Sequence, residues 1–173
     1  YQTRTEEKIL EGIASTVIDR MAPRELMELG SGVGRKIRLL LDAATRLRPD
    51  VRCLLFDINE SYLRESVRRL QAEYAGAEVQ GMLGDFTRDL PAVGAVPGRL
   101  AVFFAGTIGN LHPTEVRPFL RSVASTLESG GGFLLGVDLV KDVTRLEAAY
   151  NDSAGVTAAF NRNVLQVLND QLG

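Results

Sequence analysis

The stretch Met27-Glu28-Leu29-Gly30-Ser31-Gly32-Val33-Gly34, followed by Arg35-Lys36-Ile37-Arg38-Leu39-Leu40-Leu41, constrains this chain more than any other. A short apolar run carrying an acid leads into glycines at alternate positions and then into an amphipathic segment. That order reads as strand, tight turn and helix. Glycine lets backbone pass close to a ligand, and the start of a helix aims unpaired N–H groups at it. The dinucleotide fingerprint places its third glycine three residues after the second. Here it comes two after, which disfavours a nicotinamide-dependent oxidoreductase. On the motif alone, a glycine-rich surface turn with no ligand is the alternative. Lys36 falls in the first helical turn, where a cation opposes the helix dipole by about a few tenths of a kcal/mol. A bound anion would explain it; a solvated lysine is the other reading.

The rest of the chain repeats the strand-then-helix rhythm. A first helix carries Ile9, Leu10, Ile13, Val17 and Ile18 on one face, Pro23 breaks it, and strand one runs from Leu26 to Leu29. The helix after the glycines runs from about Arg35 to Arg46, with Ile37, Leu40, Leu41 and Ala44 inward. Strand two, Arg52 to Phe56, delivers Asp57 at its carboxyl end, the edge at which open α/β sheets bind ligands. A carboxylate there can accept both ribose hydroxyls; the alternative is a cap on the next helix. That helix spans Tyr62 to Tyr74 with Leu63, Val67 and Leu70 inward and a solvated arginine face. A third strand, Glu78 to Met82, leads to Gly84-Asp85-Phe86, where an acid could accept from an adenine amino group and an aromatic cover the ring. A turn with Phe86 in the core is equally compatible.

Thr87 to Gly98 reads as a loop. Strand four, Leu100 to Phe104, is a continuous apolar run expected of a strand buried on both faces. It ends in Ala105-Gly106-Thr107-Ile108-Gly109-Asn110-Leu111-His112-Pro113, a loop placed to cover the reactive end of a ligand. Asn110 offers donor and acceptor there, whereas His112 reads best as an exposed loop residue. A helix with Val116, Phe119, Leu120, Val123 and Leu127 as its apolar stripe precedes a buried strand five, Phe133 to Val137. A final helical region carries Leu146, Tyr150, Val156, Phe160, Val164 and Leu168. The sum is an α/β domain, doubly wound, with a largely parallel sheet of Rossmann-like form.

Composition narrows the function. The 173 residues are 45% hydrophobic and carry a net charge of −2 with Lys and Arg dispersed, so no electrostatic footprint for nucleic acid or an anionic membrane is present. A small-molecule partner fits better. The single cysteine, Cys53, sits in an apolar strand pattern and reads as a buried thiol in a reducing cytoplasm. With His112 as the sole histidine, the sequence offers no metal-ligand cluster and no nucleophilic triad. The opening at Tyr1 looks like the cut edge of a longer chain.

The Glu-x-Gly-x-Gly-x-Gly form resembles the first motif of S-adenosylmethionine-dependent methyltransferases. Further blocks resemble the L-histidine N-alpha-methyltransferase family of ergothioneine biosynthesis: Thr3-Arg4-Thr5-Glu6, Leu39-Leu40-Leu41-Asp42, Gly106-Thr107-Ile108-Gly109-Asn110-Leu111, Leu134 through Asp142, and Ala148-Ala149-Tyr150-Asn151-Asp152 through Asn161. The last three are more specific than the glycine turn. The resemblance implies a methyltransferase domain over residues 1–173, truncated at both ends, that uses S-adenosyl-L-methionine as cofactor. It implies methyl transfer to the α-amino nitrogen of an amino acid, histidine above all, repeated to the trimethyl betaine. By carry-over, Gly30 and Lys36 would hold the methionine portion, Asp57 the ribose, and Asp85 with Phe86 the adenine, with Gly32 also among the cofactor-binding residues. Asn110 would bond the substrate imidazole and Tyr150 the substrate carboxylate or amine.

Departures from the family pattern qualify this. Gln2 stands where the family's leading block has proline, and a family tyrosine that contacts substrate falls at or just before Tyr1. Gly34-Arg35 replaces a small polar pair. A later family segment supplies an acid and a serine to the substrate pocket, and neither has a counterpart here. A related enzyme for tryptophan, or a non-catalytic module that only binds S-adenosylmethionine, are the competing readings.

Overall fold

A computed structural model describes residues 2–172, so Tyr1 lies outside the described residues. The chain divides into two compact units, one running to Asp138 and the other starting at Leu139.

The first unit is built on five parallel strands. In chain order these are β1 (Glu25–Leu29), β2 (Arg52–Asp57), β3 (Glu78–Leu83), β4 (Arg99–Phe103) and β5 (Gly132–Leu135), arranged 3-2-1-4-5 across the sheet. The strand order reverses between β1 and β4, which makes the carboxyl ends of β1, β2 and β4 the crevice at which such sheets take ligands. Helices α1 (Gln2–Met21), α2 (Arg35–Leu47), α3 (Glu60–Glu73) and α4 (Pro113–Ser125) flank it. Leu10, Ala14, Ile18, Ile37, Leu40, Leu41, Leu63 and Leu70 share one core cluster with Leu26, Leu55 and Val102 of the sheet. Phe119 and Val123 of α4 pack with Met27, Leu29, Phe56 and Phe103 on the other face. Both faces of the central strands are thus covered, as continuous apolar runs require.

The expected elements form close to their expected bounds, with instructive exceptions. On α1, Leu10, Val17 and Ile18 face the core as expected, together with Ala14, whereas Ile9 and Ile13 are exposed at the edge of that face. β5 is only half-buried and ends at Leu135, with Val137 60% exposed, so it is not the buried run that its composition suggests. The loop from Thr87 to Gly98 holds one short 3-10 turn, Leu90–Val93. His112 is exposed, as expected, and in addition caps α4: its ring accepts from the Thr114 N–H while Glu115 accepts from the His112 N–H, a reciprocal capping box. Cys53 is buried, and burial pushes its thiol far above the ordinary range.

The amino ends of the strands are locked by a buried charge cluster. Arg99, 2% exposed, donates to Glu25 and to the carbonyls of Gly94 and Thr126, and Arg52 pairs with the same Glu25. The second unit carries α5 (Val143–Tyr150) and α6 (Val156–Leu172). Among the described residues no helix is long and apolar enough to cross a membrane.

Candidate functional site

The glycine turn leaves β1 at its carboxyl end and enters α2 with Gly30, Gly32 and Gly34 at φ of 67°, 50° and 64°. That left-handed conformation is costly for any residue with a Cβ, which accounts for glycine at each of the three. Gly30 and Ser31 donate to the Phe56 carbonyl of β2, at 2.8 and 3.2 Å. The turn is pinned a second time by Asp57. Gly32 N–H donates to Asp57 Oδ2 at 2.7 Å, and Asn59 N–H to Asp57 Oδ1 at 2.8 Å. Asn59 is the cap of α3, accepting from Tyr62 N–H, so Asp57 is not the helix cap. Asp57 is 8% exposed. A carboxylate has about four lone-pair sites, and two remain on Asp57 for donors such as vicinal hydroxyls.

Asp85, Phe86 and Asn110 follow the carboxyl ends of β3 and β4, at the same end of the sheet. Gly84 N–H donates to the Asp57 carbonyl at 3.0 Å, which brings Asp85 and Phe86 beside the turn. Phe86 lies near Gly30, where an added Cβ would stand 3.8 Å from its ring. The Phe86 ring packs edge-on against Phe103 and Phe119, with centroids 5.1 and 5.7 Å apart. It is therefore half core and half wall. Asp85 accepts from the Thr87 hydroxyl and N–H, bonds that hold its carboxyl below the usual carboxylate range. Asn110 ends a 3-10 turn, Thr107–Asn110, beyond β4, and is exposed on the opposite side of the strand-order reversal. Tyr150 belongs to the second unit, at the end of α5, 72% exposed.

Lys36 is not solvated. It is 8% exposed, its ammonium lies 5.6 Å from the centre of the Phe104 ring, and Nζ donates to Glu6 of α1. Glu6 also accepts from the Ala105 N–H beyond β4. Sequence reasoning did not single out Glu6 as a site residue; a contact across that separation leaves no local periodic signal. Glu28 was also missed, although it stands inside the motif. Its β1 register partners are Leu55 and Val102, so it points into the apolar face under α1 and α2. Burial pushes its carboxyl up to about 8; Lys36 pulls the other way, while Asp57 and Glu6 push it further up.

Two buried polar atoms at the turn lack a hydrogen-bond partner, Glu28 Oε2 and Ser31 Oγ. Orphans of this kind are expensive inside a fold and rare without a reason. A Cβ built on Gly32 would meet nothing within 4 Å, so the turn is bordered by open space. Spare acceptors, unpaired polar atoms, an aromatic wall and a lysine suit a polar ligand with an aromatic end. A cavity of about 390 Å³ between α3 and β3, lined by Leu63, Val67 and Gly81 among others, includes none of these residues. Its rim is occupied by the exposed Arg64–Glu60 and Arg68–Glu65 pairs. The sheet end, with its unpaired groups, is the better candidate.

Comparison with known proteins gives the same direction. The model of a family described as histidine-specific, S-adenosylmethionine-dependent methyltransferases matches residues 1–173. A histidine N-alpha-methyltransferase of Mycolicibacterium smegmatis is 46% identical over 99% of this chain and 54% of its own length. One of Mycobacterium tuberculosis is 42% identical over the same shares. The chain thus spans about half the length of these curated relatives. Among solved structures, the CcbJ methyltransferase of Streptomyces caelestis superposes with a TM-score of 0.56 at 23% identity, over 70% of this chain and 49% of that one. That likeness shows the fold.

Proposed function

Since the chain belongs to the family of histidine-specific methyltransferases that depend on S-adenosylmethionine, we propose that its glycine turn binds that cofactor for N-methylation of histidine. The acceptor is the α-amino nitrogen, methylated repeatedly to the trimethyl betaine that ergothioneine biosynthesis uses. When bound, the cofactor supplies a methyl carbon made electrophilic by an adjacent sulfonium.

What falls to the protein is alignment and charge. In-line displacement needs the amine held opposite the leaving sulfur, and positioning of that kind supplies much of a catalytic rate. Asp57 accepts the ribose hydroxyls through the lone pairs that Gly32 and Asn59 leave free. Lys36 and Gly30 hold the methionine tail, Phe86 covers the adenine and Asp85 faces its amino group. Asn110 bonds the imidazole of the substrate and Tyr150 its carboxylate or amine. The attacking amine must be neutral, and its free pKa lies near or above physiological pH, so the site has to favour the deprotonated form.

The observation that carries this reading is the clasp of Asp57 on the glycine turn at the reversal of strand order. The test is to incubate the full-length protein with S-adenosylmethionine and either histidine or tryptophan, and to follow products by mass spectrometry. Mono-, di- and trimethylhistidine are expected. Methylated tryptophan alone would move the substrate, and cofactor binding without any product would make the protein a binding module.

A further inference from the structure

The sequence blocks around Glu6 and Gly136 have no role in the scheme above, yet the fold brings them together at the sheet end. Glu6 reaches from α1 to Lys36 on α2 and to the Ala105 N–H beyond β4. Ala105 holds φ 64°, a conformation disfavoured for alanine that persists only where the surroundings impose it. On the third side stands Gly136, after β5, where any Cβ would collide with Glu6 Oε1. Four segments thus converge to seat one carboxylate. Its side chain is 15% exposed and that of Lys36 10%, so the pair is sheltered but reachable.

Charge counting shows what the node is suited to. Lys36, Asp57 and Glu6 each act on the buried Glu28, whose Oε2 has no partner and whose carboxyl burial keeps protonated, so the node sets the carboxylates of Glu6 and Asp57 against one ammonium, Lys36. A purely anionic ligand would meet an excess of acid. A ligand carrying an ammonium beside a carboxylate would meet one counter-charge for each.

We propose that Glu6 is a ligand-binding residue: the Glu6–Lys36 pair opens to take an amino-acid zwitterion, Lys36 receiving its carboxylate and Glu6 its α-ammonium. The inference rests on the reading that the turn binds S-adenosylmethionine, whose tail is such a zwitterion. Each charge exchanges one partner for another, so the low-dielectric setting is never left with a lone ion, which would be costly. The Ala105 N–H stays on Glu6 throughout and fixes its direction. Gly136 is glycine because the seat admits no side chain.

The test is isothermal titration of the full-length protein with S-adenosylhomocysteine and with 5′-methylthioadenosine, which lacks the amino-acid tail. Glu6→Gln keeps the shape and an acceptor for Ala105 but removes the charge. It is expected to weaken S-adenosylhomocysteine about tenfold or more, the scale of a charge-assisted hydrogen bond, and to leave 5′-methylthioadenosine unchanged. Gly136→Ala, which displaces only the end of a flexible side chain, is expected to give the same pattern. Unchanged binding of the tailless ligand shows that either variant is folded. Tighter binding of S-adenosylhomocysteine by Glu6→Gln would make Glu6 a competitor for Lys36 and overturn the proposal. Equal changes for both ligands would reduce Glu6 to a structural tie and also overturn it. A wild-type protein that binds neither ligand would refute the cofactor reading itself, and this inference with it.

Discussion

Replacing Glu28 by glutamine should make the protein gain stability relative to wild type as pH rises. Burial raises the folded-state pKa of Glu28 from 4.5 to about 8. Between those values the folded state holds a proton that the unfolded chain has released, so stability falls as pH rises. Each pH unit in that interval costs about 1.4 kcal/mol, and crossing it costs roughly 5 kcal/mol. Below it both states are protonated and above it both are ionised, so the penalty is absent at one end and complete at the other. Glutamine does not titrate. Whatever its amide costs in the same apolar seat is independent of pH and drops out when variant and wild type are compared at two pH values. Chemical denaturation is expected to show the variant gaining on wild type by roughly 3 kcal/mol between about pH 5 and about pH 8. A difference that stays constant across that range would mean that Glu28 is solvated or fully compensated by Lys36. The argument for an unpaired acid beneath the turn would then fail.

Two further substitutions probe the frame and the wall of the site. Arg99→Met strands Glu25 in the core beside Arg52 and leaves the Gly94 carbonyl unmet, whereas Thr126 keeps the Val96 N–H, so denaturation should show a loss of about 3–5 kcal/mol; an added Glu25→Leu should recover part of it, and a loss under about 1 kcal/mol would contradict the buried cluster. Phe86→Ala removes an edge-on contact to Phe103 and Phe119, each such ring pair contributing about 0.5–1.5 kcal/mol; stability and affinity for adenosine ligands should fall together, whereas loss of stability alone would confine Phe86 to the core.

Much of the site was legible because its signals are local. Glycines at alternate positions, an amphipathic run from Ile37 and an acid closing β2 each show within a few residues, and the sheet order then places Asp57 against Gly32. Contacts between distant positions were not legible. The Glu6–Lys36 pair depends on how α1 crosses α2, and neither residue's neighbours reveal it. Glu28 looked like part of a motif and is also a buried acid, a property that only the register with Leu55 and Val102 exposes. The docking face of α1 was read in part: Leu10, Val17 and Ile18 do pack on the core, whereas Ile9 and Ile13 follow the helical period as well and are exposed, and Ala14 was not named. His112 could have been found: an N-cap before Pro113, with Glu115 three residues on, is a capping signature, obscured by the rarity of histidine in that role.

The most direct measurement pairs Asp57→Ala with S-adenosylhomocysteine and its 2′,3′-dideoxyribose analogue in a binding cycle. Because Asp57 also braces the glycine turn, affinity for one ligand alone would mix two effects, whereas the cycle isolates the hydroxyl contact. Wild type is expected to favour the intact ribose by about 1–3 kcal/mol, and the alanine variant to bind both ligands alike. The same preference in both proteins would contradict the placing of the cofactor's ribose on Asp57.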